Sequence, residues 1–276
     1  MEFNEVNEVN EVNEVNEVNE VNEVNEVNES SALQGKRVVV TGGGRDFGQA
    51  VSVWLAREGA HVDLCTRQLT RAEATCEIIR REGGIARGYQ CDMSHAQSVN
   101  DFATQLLQDN QPIDILILSA AQWLEGYLGE GDNDTDIVNT VNSGITGSIL
   151  LTKALLPSLR QSQGADIVAM VSVCGIPQFT ESVAHPAFFA AKHAMSGFSQ
   201  NLAHHLSKEN IRVTGLYPPD FELNGFDEIL DNQKKMGEQL LNGRSVWETI
   251  RFVVTQPRSC HIKAVYFQGP TFKDFE

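Results

Sequence analysis

Apolar residues along this chain keep two rhythms that alternate. Short aliphatic or β-branched runs, such as Val38-Val39-Val40, suit a strand buried on both faces. Between them apolar residues return every three or four positions, as Phe47, Val51, Trp54 and Leu55 do, which places them on one helical face. The pattern predicts strands at 38–40, 61–66, 86–92, 113–119, 166–172, 212–217 and 261–267. Helices are expected at 47–56, 69–82, 98–109, 134–162 and 186–209. The fourth of these should be interrupted near Pro157 and closed by Gly164, while Pro186 suits the first turn of the fifth. Strict strand–helix alternation implies an α/β fold: a doubly wound, Rossmann-like parallel sheet with helices on both faces. Ligands of such sheets bind beyond the carboxyl ends of the strands, where the strand order reverses.

The pattern fails before residue 33. Asn-Glu-Val repeats eight times from Asn4 to Val27, a period of three that matches neither helix nor strand. Residues 1–32 are therefore read as a low-complexity, disordered acidic tail, and 33–276 as one domain. The tail also dominates the charge. It holds ten of the 37 acidic residues behind the net charge of −16; without it 27 acidic residues face 21 basic ones, a net of −6. That balance offers no nucleic-acid-binding face. The five cysteines (65, 76, 91, 174 and 260) lack metal-ligand spacing and are expected to be reduced, with no metal bound. With no signal peptide or membrane-length apolar run, a cytoplasmic protein is expected.

Chemistry enters with the turn after the first strand. Thr41-Gly-Gly-Gly-Arg-Asp-Phe-Gly48 joins a strand to a helix, so backbone N–H groups and a positively polarised helix end can meet a phosphate. Arg45 in this turn and Arg67 at the end of the second strand are two cations that suit a second phosphoryl group.

From Gly35 to Gly269 the chain resembles the classical short-chain dehydrogenase/reductase family. Thr41 to Gly48 is similar to that family's Thr-Gly-x-x-x-Gly-x-Gly turn, with Asp46 in place of the middle glycine. The resemblance implies a dinucleotide held by Thr41, Gly42, Gly44, Arg45, Asp46, Phe47 and Gly48. It adds Asp92 and Met93, Ser119, Ala120 and Ala121, Lys192 and Pro218 as cofactor contacts. Because Thr66-Arg67 stands where NAD-selective relatives carry an acid, NADP(H) is favoured over NAD.

Ser172 resembles the catalytic serine and Lys192 the catalytic lysine. The tyrosine expected one helical turn before that lysine is Phe188, so the proton donor of the family is missing. Proton delivery would then fall to water or to His185, for which the alternative is a helix-entry residue that points to solvent. Leu118-Ser-Ala-Ala121 replaces Asn-Asn-Ala-Gly, Gly144 stands at the helix asparagine with Asn142 two residues away, and Pro218-Pro219 replaces Pro-Gly. Trp123, Leu124, Ile176, Phe179 and Phe221 suggest an apolar pocket, covered by 221–246. The resemblance implies an oxidoreductase passing hydride between nicotinamide and a small carbonyl or alcohol, with an atypical site, assembled as a homodimer or homotetramer. The contrasting reading is a nonenzymatic NADP(H)-binding sensor or interaction protein.

Overall fold

The run Arg37–Thr41 forms β1, and every residue in it is buried. In the computed structural model, which describes residues 32–129, 131, 133–223 and 241–269, this strand lies inside a seven-stranded sheet. The repeat tail, up to residue 31, and most of the expected cover at 221–246 fall outside the described residues. Successive strands are β2 (His61–Thr66), β3 (Ile85–Gln90), β4 (Ile115–Leu118), β5 (Ala165–Met170) and β6 (Ile211–Tyr217). A two-residue pair, β7 (Phe221–Glu222) and β8 (Leu241–Asn242), stands apart, and β9 (Ala264–Tyr266) completes the main sheet. The order is β3-β2-β1-β4-β5-β6-β9, with every neighbour parallel. β1 pairs with β2 on one side and β4 on the other, so the switch in strand order lies between β1 and β4.

Side chains of a strand alternate between faces, and β1 divides the core accordingly. Val38 and Val40 join a cluster with Val51, Trp54, Ala72 and Trp247. Val39 faces the other way, among Phe102, Leu116, Leu151 and Leu155. The first cluster packs α1 (Asp46–Arg57), α2 (Leu69–Arg81) and α7 (Gly243–Thr255) against the sheet. The second packs α3 (Ala96–Leu107), α5 (Gly147–Gln161) and α6 (Pro186–His205). Each fully buried aliphatic side chain contributes about 1.5–3 kcal/mol, so both faces must be covered for the sheet to persist.

Charges buried in the layers are paired. Asp63 on β2 receives Arg37 at 2.7 Å and Arg87 at 2.6 Å, and both arginines also reach Asp109. Asp166 is held likewise by Arg212 at 2.7 Å and Arg258 at 2.9 Å.

The predicted helix over 134–162 needs correcting. It consists of α4 (Asp134–Val141), a π-helical turn (Asn142–Thr146) and α5, so the irregularity precedes Pro157 by three turns. Pro157 lies inside a continuous helix. Pro157 and Lys153, whose carbonyl loses its intrahelical partner, are both exposed, so water can serve that carbonyl. The strand expected at 86–92 ends at Gln90 and that at 166–172 at Met170, which leaves Asp92 and Ser172 just past the strand ends.

Candidate active site

The glycine turn is built by close approach. Gly42 has φ +76°, and a Cβ there would lie 3.1 Å from the Ala120 Cα. A Cβ on Gly48 would meet the Gly42 carbonyl oxygen at 2.2 Å, so the start of α1 can lie on the turn only without a side chain. Thr41 does not line the cleft. Its Oγ1 accepts from the amides of Ser119 (3.0 Å) and Ala120 (3.1 Å), tying the segment after β4 to the end of β1. Gly44 also stays outside the lining, pressed toward Thr66 and Arg71.

Asp46 adopts φ +49°, the left-handed region that explains why glycine suits this position. Its carboxylate pairs with Arg45 at 3.3 Å, and both side chains are largely exposed. The acid thus points into solvent beside its own counter-ion.

A cleft of about 1040 Å³ runs along the carboxyl ends of the strands at the β1/β4 switch. One end is lined by Gly42, Arg45, Asp46, Phe47 and Gly48, faced by Arg67 and Arg71. Arg71, in the first turn of α2, extends the predicted arginine pair to three. Asp92 and Met93 line the same half. The Asp92 Oδ1 accepts from the Ser94 amide (2.9 Å) and hydroxyl (2.7 Å). Burial opposes ionisation of Asp92, but these bonds, with His95 and Arg67 nearby, hold its carboxyl below the ordinary range. Ser119, Ala120 and Ala121, just after β4, and Pro218, just after β6, also line the cleft.

At the other end the structure gathers Ser172, Phe188 and Lys192. Ser172 has φ +88°, a strained conformation for a side-chain-bearing residue, and its Oγ accepts from the Cys174 amide at 3.3 Å. The turn it opens, Val173–Gly175, presses on α6: a Cβ on Gly175 would lie 2.6 Å from the Lys192 carbonyl oxygen. Lys192 reaches back to β5, its Nζ donating to the Met170 carbonyl at 2.8 Å. Burial destabilises the ammonium and lowers its pKa to about 8. The Phe188 ring lies beneath this Nζ, 5.3 Å from its centroid, and meets Trp123 edge-on at 4.8 Å.

His185 does not join them. It is fully buried, lies outside the cleft lining, and uses Nδ1 to accept the Ala187 amide at 3.1 Å as the cap of α6. Both expectations for it fail, donor into the cleft and side chain in solvent, because a helix start needs an acceptor there.

Gly144 packs on α6, where a Cβ would stand 2.9 Å from the Ala191 Cβ, so an asparagine there would need the helices to separate. Asn142 is not in the lining; the π turn presents Ser143, whose Oγ accepts the Gln122 amide at 3.0 Å. Among the suggested apolar residues, Trp123 and Phe221 line the cleft, whereas Leu124, Ile176 and Phe179 do not. Among the described residues no helix is long and apolar enough to cross a membrane, and no group of three or more potential ligands marks a metal site.

Comparisons with known proteins identify the family and the fold. A family model described as short chain dehydrogenase matches residues 36–234. A short chain dehydrogenase of Pseudocercospora fijiensis is 31% identical over 193 residues, 69% of this chain and 61% of the relative. The mouse dehydrogenase/reductase SDR family member 4 is 28% identical over 67% of this chain and 66% of its own. The chain thus spans slightly under two thirds of either relative. Among solved structures, a short-chain dehydrogenase/reductase from Burkholderia xenovorans superposes with a TM-score of 0.74 at 25% identity, over 86% of this chain and 96% of the other. The L-sorbose reductase of Gluconobacter frateurii, solved with NADPH and L-sorbose, gives 0.75 at 20% identity over 89% and 99%, a likeness of fold.

Proposed function

Because the chain belongs to the short chain dehydrogenase family, we propose that it is an NADP(H)-dependent oxidoreductase of small carbonyl or alcohol substrates, with an atypical site. The observation that carries this reading is three arginines, 45, 67 and 71, around a glycine turn at the switch point. A diphosphate fits the side-chain-free turn and the start of α1, and the extra phosphate of NADP fits the arginines. Neighbours solved with NADP or NADPH support the same choice. Asp92 would hold the adenine edge, Lys192 the nicotinamide ribose, and Ser119 to Ala121 the floor under the cofactor. When bound, the cofactor supplies or accepts the hydride. Ser172 would hold the substrate oxygen by its hydroxyl, while Trp123 and Phe188 exclude water from the reacting carbon. The partly exposed faces of α5 and α6, including Ile149, Ala190 and Ala194, would pair two or four copies in the cytoplasm.

Titration of the protein with NADPH, followed by nucleotide fluorescence, tests the cofactor half, and saturable binding tighter than for NADH is expected. Absence of NADPH binding sinks the reading. Binding without turnover on a carbonyl panel, in wild type and variants alike, would favour a nonenzymatic sensor, the second reading that Phe188 itself supports.

Asp46 modulates the first half. Replacing it with glycine removes a carboxylate beside the diphosphate path and frees Arg45 from its 3.3 Å pair. Exposed pairs contribute about 0.2–1 kcal/mol, so D46G should tighten NADPH binding by roughly two- to fivefold. A weaker Kd in the same titration would mean that Asp46 assists the cofactor.

A further inference from the structure

We propose that Lys192 is itself the proton donor to the substrate oxygen, taking the role that Phe188 cannot fill. The inference rests on the oxidoreductase reading above and gives direct proton transfer to a lysine that the resemblance assigns to binding the ribose and tuning a tyrosine.

Geometry comes first. Lys192 lines the cleft with Ser172, whose turn packs directly against the Lys192 backbone. Its Nζ is anchored by the Met170 carbonyl, two residues before Ser172 along the chain. That contact uses one of three N–H bonds, and among the described residues the other two have no protein acceptor. The same Nζ lies over the Phe188 ring at 5.3 Å, so it occupies the neighbourhood that a phenol at 188 would share. One ammonium can therefore contact a ribose hydroxyl and a carbonyl oxygen held by Ser172. His185 is committed to capping α6 and lies outside the lining.

Chemistry agrees. Burial brings the Lys192 pKa down to about 8, near the pH at which a general acid works best. The ionisable group that acts on it directly is Cys174, on the turn packed against α6; Asp220, after β6, lines the same cleft and acts on Cys174. Met170 from β5 and Ser143 from the π turn bring no charge. In reduction, the substrate carbon gains a hydride from the reduced nicotinamide and the C=O π pair moves to oxygen. An Nζ–H bond of Lys192 breaks as an O–H bond forms, leaving a neutral amine and an alcohol. Water entering the open cleft returns the proton to Nζ.

The test compares full-length wild type, Lys192→Arg and Phe188→Tyr with NADPH and a panel of benzaldehyde, acetophenone and cyclohexanone. Arginine keeps a positive charge at this position but holds its protons too tightly to give one up. At saturating NADPH the kcat of K192R should fall by about 10²–10⁴-fold, with its NADPH affinity measured separately so that lost binding is not counted as lost chemistry. Wild-type reduction should decline as pH rises through about 8, and K192R should lose that decline. A lysine Nζ NMR titration gives a readout independent of turnover: a resonance moving near pH 8 in wild type and missing from K192R. Wild-type rates in K192R, or a Lys192 Nζ still protonated past about pH 10, its ordinary range, overturn the assignment. So does a wild type that binds NADPH yet reduces nothing while F188Y is active, an outcome that leaves the cofactor site standing. Failure to bind NADPH sinks the oxidoreductase reading and the donor with it.

Discussion

NADPH binding should weaken by about 10²–10³-fold when Arg45 and Arg67 are both replaced by alanine, while NADH affinity stays within about threefold. A hydrogen bond to a charged group contributes about 1.5–3 kcal/mol, and 1.4 kcal/mol is a factor of ten. Removing two such bonds would therefore cost about 10²–10⁴-fold in affinity. Here both guanidinium groups are exposed, Arg45 keeps Asp46 as a competing partner, and Arg71 remains in the variant, which places the expectation in the lower half. The loss must be selective, since only NADPH carries the extra phosphate. Fluorescence titration of both nucleotides at two salt concentrations measures it, with wild-type NADPH affinity falling as salt rises. Equal losses for the two nucleotides would show that the arginines hold the turn rather than the phosphate.

Phe188→Tyr should raise kcat for carbonyl reduction by about 10–10²-fold. Introducing a general acid is worth about 10²–10⁴ when nothing else donates, and Lys192 already recovers part of that in the wild type under the assignment above. The ammonium over the ring at 5.3 Å favours the phenolate form and lowers the new hydroxyl's pKa toward neutrality. Trp123 constrains the ring edge-on at 4.8 Å, so the added oxygen must fit on the cleft side. Steady-state turnover of both proteins over the same panel measures the gain. A fast wild type that the tyrosine does not improve would mean Phe188 was never a deficit. Coupling should also appear: if Lys192 is the wild-type donor, Lys192→Met should cost less kcat in the tyrosine variant than in wild type, because the phenol still donates a proton there.

Much of this architecture is legible in the sequence because its cause is periodic. Strands buried on both faces give unbroken runs such as Val38 to Val40, and the structure puts those three valines at 0% exposure on alternate faces. The glycine turn is legible because two backbones meet there, leaving no room for a Cβ on Gly48. Ser172, Lys192 and Phe188 come from resemblance, and the structure brings them to one end of one cleft. What stays hidden has no period. The five-residue π turn keeps an amphipathic spacing close to that of an α-helix, so it leaves no mark on the pattern. Arg71 looks like any solvated helical arginine, though a basic residue in a first turn, against the helix dipole, is a usable signal. His185 as a cap is a matter of which way an imidazole turns, which residue type alone does not specify.

The π turn has a consequence for how this gene can change. It winds the chain as if one residue had been spliced into an otherwise regular coil between α4 and α5. Excising a single codon there would relax the coil to the common pitch and swing everything upstream through about 100°. Ser143 would leave the cleft and the Gln122 amide would lose its acceptor, while α5 kept its seat on the sheet. Length variation at Asn142–Thr146 would therefore turn the Ser143 side of the cleft as a unit, which a single exchange of side chains does not do.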